Sequence, residues 1–128
     1  MDHIGIAVKS LVEAVESFKI LLGKEPEGFE EVADQKVRAA IFGMEGTRLE
    51  FLEGTAPDSP ISRFIEKKGA GIHHVCFKVE DIDAEIERLK AAGFRMIDEQ
   101  PRTGAEGAKI AFVHPKSTAG ILIELNQK

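Results

Sequence analysis

Two histidines and two glutamates occupy matching places in the two halves of this 128-residue chain: His3 and His74 near the start of each half, Glu50 and Glu124 near its end. His3-Ile-Gly-Ile-Ala-Val8 reads onto His74-Val-Cys-Phe-Lys-Val79 at an offset of 71, and Leu11, Val15 and Phe18 read onto Ile82, Ile86 and Leu89 at the same offset. Leu49-Glu50-Phe51 reads onto Ile123-Glu124-Leu125 at an offset of 74, so loop lengths differ while element order is kept. Such self-similarity marks an internal repeat. Related by a pseudo-twofold axis, the copies would bring two imidazoles and two carboxylates to one place, a donor set that suits a borderline divalent ion. No short ligand spacing of the His-x-x-x-His kind is present. The metal reading therefore rests on the recurrence of His and Glu at equivalent positions of apolar strands.

The elements that must hold these residues follow from periodicity. His3 to Val8 alternates as a strand, with Ile4, Ile6 and Val8 on one face and His3, Gly5 and Ala7 on the other. The bulky face can pack under a helix, and the small residues beside His3 would leave open space in front of the sheet. Ser10-Leu-Val-Glu13 is a capping box that starts a helix running to about Leu22, with Leu11, Val15, Phe18 and Leu22 as its buried stripe and Gly23 at its end. Strands are expected at Phe29–Val32, Val37–Gly43 and Thr47–Leu52, the last two joined by a turn at Met44-Glu45-Gly46. Ser59 as N-cap, Pro60 at the first helical position and Gly69 after Lys67-Lys68 define a linking helix near residues 59–69. The second half repeats the plan: a strand from Gly71, a helix over 81–92, and strands at Arg95–Glu99, Ala108–His114 and Gly120–Asn126. The expected fold is α+β, a single domain (1–128) of two tandem βαβββ modules (1–53 and 72–126) whose curved mixed sheet surrounds a metal-binding cleft.

Strand alternation lets only one of His73 and His74 face that cleft. His74 aligns with His3 and is the ligand, and His73 is a packing or supporting residue. His114, before Pro115, is read as structural or substrate-adjacent. The net charge of −5 excludes the usual basic nucleic-acid footprint. The one cysteine, Cys76, rules out an internal disulfide and a cysteine-based zinc site, and reads as a small buried strand residue. With no apolar run of bilayer length, no membrane association is expected and the chain reads as cytoplasmic. Exposed sheet edges of paired modules favour a homodimer.

At these residues the chain resembles the vicinal oxygen chelate superfamily, and its longer strings resemble the methylmalonyl-CoA epimerases. The strings are Asp2-His-Ile-Gly-Ile-Ala-Val8, Asp58-Ser-Pro-Ile61, Gly71-Ile-His-His-Val75, Gly104-Ala-Glu-Gly107, and Phe112-Val-His-Pro-Lys-Ser117 with Gly120-Ile-Leu-Ile-Glu124. The resemblance implies an acyl-CoA substrate and inversion at C2 of methylmalonyl-CoA through an enolate. It implies one divalent ion, Co2+ first and Mn2+ or Zn2+ as alternatives, on His3, His74 and Glu124, with Glu50 as fourth ligand, as proton-transfer group, or as each in turn. Glu50 and Glu124 are the expected acid/base pair, since inversion needs one group on each face of C2. The strand Val37–Phe42 has no acidic residue, where some relatives place a base. Gly107, Lys109, Lys116 and Ser117 are candidates for substrate binding. A glyoxalase I-like lyase or isomerase acting on a thiol conjugate is the alternative enzyme, and an iron dioxygenase with a two-His, one-carboxylate triad is a third. A metal-free sequestering protein of the same fold is the alternative of a different class.

Overall fold

The computed structural model describes the backbone of residues 1–128 and every side chain except that of residue 105. The chain divides into two compact units, one of His3–His73 and one of His74–Lys128 joined by Met1–Asp2.

In the first unit the order is β1 (His3–Ala7), α1 (Leu11–Leu22), β2 (Gly28–Val32), β3 (Val37–Met44), β4 (Thr47–Gly54) and α2 (Pro60–Lys68). Its strands lie in the order β2-β3-β4-β1, antiparallel except for the parallel β4/β1 pair. A parallel pair needs a crossover, and α1 with β2 and β3 supplies it. Ser10 Oγ accepts from the Glu13 amide at 3.2 Å, and Gly23 closes α1 at φ 68°. A second tie fixes the start of α1: Glu53 Oε1 of β4 accepts from the Leu11 amide at 2.5 Å. Leu11 and Val15 then bury with Ala40, Phe42 and Phe51, flanked by Ile6, Val8, Phe18 and Leu22. The other face of the sheet differs from the open surface expected beside His3. Ala7 packs there with Val37, Ala39, Leu52 and Ile61, because α2 folds back over that end of β1 and β4. The linking helix is thus part of the first unit's core, held at its start by fully buried Ser59, whose Oγ accepts from the Ile61 amide at 3.2 Å.

The second unit contains β5 (Gly71–Lys78) from His74 onward, α3 (Ile82–Ala91), β6 (Arg102–Thr103), β7 (Lys109–Val113) and β8 (Ile123–Gln127). The order β5-β8-β7-β6, with β5/β8 parallel and the others antiparallel, reproduces that of the first unit. Asp81 caps α3 from the Ala84 amide at 3.1 Å, and Gln127 Oε1 accepts from the Ile82 amide at 2.8 Å, the counterpart of the Glu53 tie. Ile82, Ile86, Met96, Ala111, Val113 and Leu125 form the core beneath it.

One expected strand is absent. Over residues 95–99 only Met96 bridges Val113, and the strand that follows α3 is the short β6. The amides of Ile97 and Asp98 both point at the Phe112 carbonyl (2.9 and 3.3 Å), while Asp98 Oδ2 accepts from the Phe112 amide at 2.8 Å. The Asp98 side chain takes the place of a backbone acceptor, so no ladder propagates along this segment.

Candidate metal centre

The site residues sit on the two parallel strand pairs, and the register of each pair is the same. In the first unit Gly5 lies opposite Glu50; in the second Cys76 lies opposite Glu124. Gly5 and Cys76 each stand two residues past a histidine, so alternation puts His3 and Glu50 on one face, and His74 and Glu124 on the equivalent face. His3 Nδ1 is 3.4 Å from Glu50 Oε2, and His74 Nε2 is 3.1 Å from Glu124 Oε1. His3, His74 and Glu124 are buried, with Glu124 only 7% exposed. A buried carboxylate is costly without charge or hydrogen-bond compensation. Each unit therefore offers a dry imidazole nitrogen beside a carboxylate oxygen. Donors of these types are those that cobalt, manganese or zinc accept.

The two half-sites differ in their surroundings. Glu50 has a second neighbour on its strand, Arg48, whose Nη2 reaches Glu50 Oε2 at 3.3 Å. Glu124 lies between Cys76 on β5 and Phe112 on β7, its register partners on either side. The Phe112 ring stands edge-on to His74 at 6.0 Å between centroids, and the Arg102 guanidinium lies over its face at 5.4 Å. Arg48 was findable in the sequence, because a residue two before Glu50 must share its strand face. Phe112 was findable in the same way from the β7/β8 pairing, whereas Arg102 reaches Phe112 through a strand too short to show periodicity.

His73 is set aside from these groups. Its ring packs edge-on against Phe64 of α2 at 4.9 Å between centroids, which is a packing role. His114 is structural: its Nδ1 accepts from the Lys116 amide at 3.0 Å and caps the turn Pro115–Ser117. Ser117 gives its amide to the His114 carbonyl and accepts from the Arg95 amide on Oγ at 2.9 Å. Lys109 and Lys116 are exposed. Gly107 follows Glu106 with both in the left-handed region, φ 75° and 57°, a conformation that costs a non-glycine residue about 1–2 kcal/mol.

A groove of about 540 Å3 lies elsewhere on the first unit, between α1 and β2. Its wall includes Glu16, Glu30, Glu31 and Glu53 against one arginine, Arg38, an acidic lining that suits neither a carboxylate nor phosphates. No helix among the described residues is long and apolar enough to cross a membrane.

Residues 2–112 match the sequence profile described as the Glyoxalase/Bleomycin resistance protein/Dioxygenase superfamily. The chain belongs to this superfamily. It is 39% identical over 129 aligned residues to the ethylmalonyl-CoA/methylmalonyl-CoA epimerase of Cereibacter sphaeroides, covering 99% of this chain and 96% of that one. A hypothetical protein of Bacillus halodurans C-125 superposes with a TM-score of 0.96 at 38% identity, covering 100% and 93% of the two chains. A methylmalonyl-CoA epimerase solved with methylmalonyl-CoA and NH4+ superposes with a TM-score of 0.89 at 35% identity, covering 100% and 93%. The resemblance read from the sequence is thus to the right family, and the fold is the α+β vicinal oxygen chelate fold.

Proposed function

We propose that this chain is a metal-dependent epimerase that inverts C2 of methylmalonyl-CoA, with His3, Glu50, His74 and Glu124 serving one divalent ion and its substrate. The observation that carries the reading is the repeated register: in both units an imidazole meets a carboxylate across a parallel strand pair. Relatives named for this reaction support methylmalonyl-CoA as the substrate. When bound, the ion, cobalt by likeness and manganese or zinc by donor chemistry, would supply Lewis acidity to the substrate and stabilise the negative charge that develops as the C2 proton leaves.

The chain's own residues do the proton work. One of Glu50 and Glu124 takes the C2 proton onto a carboxylate oxygen, and the other delivers a proton to the opposite face. Cys76 and Phe112 flank Glu124 as its register partners. One proton leaves and one arrives; no electron is exchanged and no other bond breaks. Lys109 and Lys116, being exposed cations, suit the phosphates of coenzyme A, and Gly107 lets backbone approach the acyl group. Ser117 is already engaged in holding its turn, which makes it the weakest of these contacts. The reading includes a homodimer in the cytoplasm; Phe29, 64% exposed on β2 at the edge of the first unit's sheet, supports the dimer.

The test is proton exchange. In deuterium oxide, protein supplied with Co2+ should interconvert the two epimers and leave deuterium at C2 of the product. Unlabelled product, or a preference for a glutathione conjugate, would move the chain to the glyoxalase-type reading. Metal analysis of the purified protein separates both from metal-free sequestration.

A further inference from the structure

Arg48 has no counterpart in the second half-site. The matching position, three residues before Leu125, is Leu122. Arg48 stands on the same face of β4 as Glu50, and its register partner on β3 is Gly43, over which the Glu27 carboxylate lies. It is 28% exposed and Glu50 15%, so this is no ordinary surface pair. Both His3 Nδ1 and Arg48 Nη2 approach the same oxygen of Glu50, Oε2. A guanidinium held against a carboxylate restrains the rotation of that group, as the outer partners of ligating carboxylates do.

We infer that Arg48 is a positioning residue, one that restrains the Glu50 carboxylate beside His3 in the orientation that would meet the divalent ion. The inference rests on the metal site proposed above but not on the substrate. Outer partners of ligating carboxylates typically contribute roughly 10-fold to 100-fold in metal affinity. A positive charge near a cation site also opposes binding electrostatically, so the sign of the effect decides between orientation and repulsion.

The experiment is a double-mutant cycle read by calorimetric titration of Co2+ into the metal-free protein: wild type, Arg48→Met, Glu50→Gln and the double variant, with Arg48→Lys as the conservative control. Positioning predicts that Arg48→Met weakens Co2+ binding by about 10-fold to 100-fold. It also predicts that Arg48→Lys recovers part of the loss, and that Arg48→Met adds less than about twofold once Glu50 is Gln, because coupled residues fail to add. Unchanged or tighter binding by Arg48→Met, or a loss that adds in full to Glu50→Gln, overturns it. In turnover with methylmalonyl-CoA, kcat should fall in Arg48→Met with KM within about twofold. A raised KM at unchanged kcat would make Arg48 a grip on the substrate's anionic groups and would also overturn it. If wild-type protein fails to turn over methylmalonyl-CoA, the substrate assignment falls, and the Co2+ cycle still decides the role of Arg48.

Discussion

Replacing Glu124 by Gln keeps the shape of the side chain and removes its charge and its ability to carry a proton. The position is in mid-strand, buried, and bounded by Cys76 and Phe112, so an isosteric amide fits the space and can still meet His74 Nε2 across the 3.1 Å contact. Stability should change by no more than about 1 kcal/mol, since neither packing nor the hydrogen-bonding potential of the site is lost. The chemistry has no such tolerance. A missing general acid or base costs roughly 100-fold to 10000-fold, or about 2.7 to 5.4 kcal/mol of barrier at about 1.36 kcal/mol per decade. The assay follows C2 hydrogen exchange and epimer inversion separately, starting from each epimer in deuterium oxide at saturating Co2+. If Glu50 and Glu124 serve opposite faces of C2, each single variant loses inversion, Glu124→Gln retains exchange from one epimer, and Glu50→Gln retains it from the other. Turnover within tenfold of wild type in Glu124→Gln, with the side chain's charge gone, would refute its role as acid or base. Loss of exchange from both epimers in both variants, with metal retained, would refute the division by face.

Replacing His74 by Ala should abolish stoichiometric Co2+ binding, whereas His73→Ala should keep it while losing the ring contact with Phe64, worth about 0.5–1.5 kcal/mol of stability; equal metal loss in both would shift the ligand by one residue. Gly54→Ala should destabilise the protein by about 1–3 kcal/mol in a urea titration, because the added methyl would lie 2.0 Å from Ser62 Oγ and 2.9 Å from Ser59 Oγ where α2 begins; no change would mean that α2 shifts freely. The hydrogen bond from Lys36 to Asp58, at 2.5 Å, holds the Asp58 carboxyl below the ordinary aspartate range. Its contribution is present at neutral pH and is lost as pH falls through the folded-state pKa, weakly because the pair is exposed and screened by salt. Lys36→Met should return the Asp58 titration seen by NMR to the ordinary range, and an unmoved midpoint would contradict the assignment.

What could be read from the sequence was whatever depends on local periodicity. Ser10 with Glu13, Ser59 with Pro60, and the alternation around His3 and His74 each specify an element through neighbours a few residues away, and these elements are present. Strand alternation limited the ligand to one of His73 and His74, and alignment with His3 selected His74, which lies 3.1 Å from Glu124 while His73 packs against Phe64. What escaped depends on partners far along the chain. Residues 95–99 carry a strand-like composition, yet the Asp98 side chain captures the Phe112 amide and the ladder stops. Ala7 reads as a small residue facing open space until α2, more than fifty residues later, lays Ile61 against it. Gly54 looks like an ordinary strand end, and only the approach of Ser59 and Ser62 shows why a side chain is excluded there. Arg48 is the instructive omission, since the alternation that identified His3 also places Arg48 beside Glu50.

The repeat also shows where the halves have ceased to be interchangeable. Glu53 and Gln127 still perform one task, each accepting the first amide of the helix that follows its unit's opening strand. One residue earlier the halves part: Leu52 packs with Ala7, Val37, Ala39 and Ile61, whereas its counterpart Asn126 is buried with Oδ1 lacking a hydrogen-bond partner among the described residues. An acceptor left unmade in the interior costs about 1–3 kcal/mol, so a stability-driven sequence would place an apolar residue here. Asn126→Leu should therefore raise the unfolding free energy by about that amount in a urea titration. Asn126 shares its strand face with Glu124, two residues away, and sites often retain stability costs that serve function. Under that explanation the stabilised variant should also show a weaker kcat/KM for methylmalonyl-CoA. A destabilised Asn126→Leu would mean that the amide is held by contacts stronger than its unmatched oxygen implies, and the argument from the repeat would fail at this position.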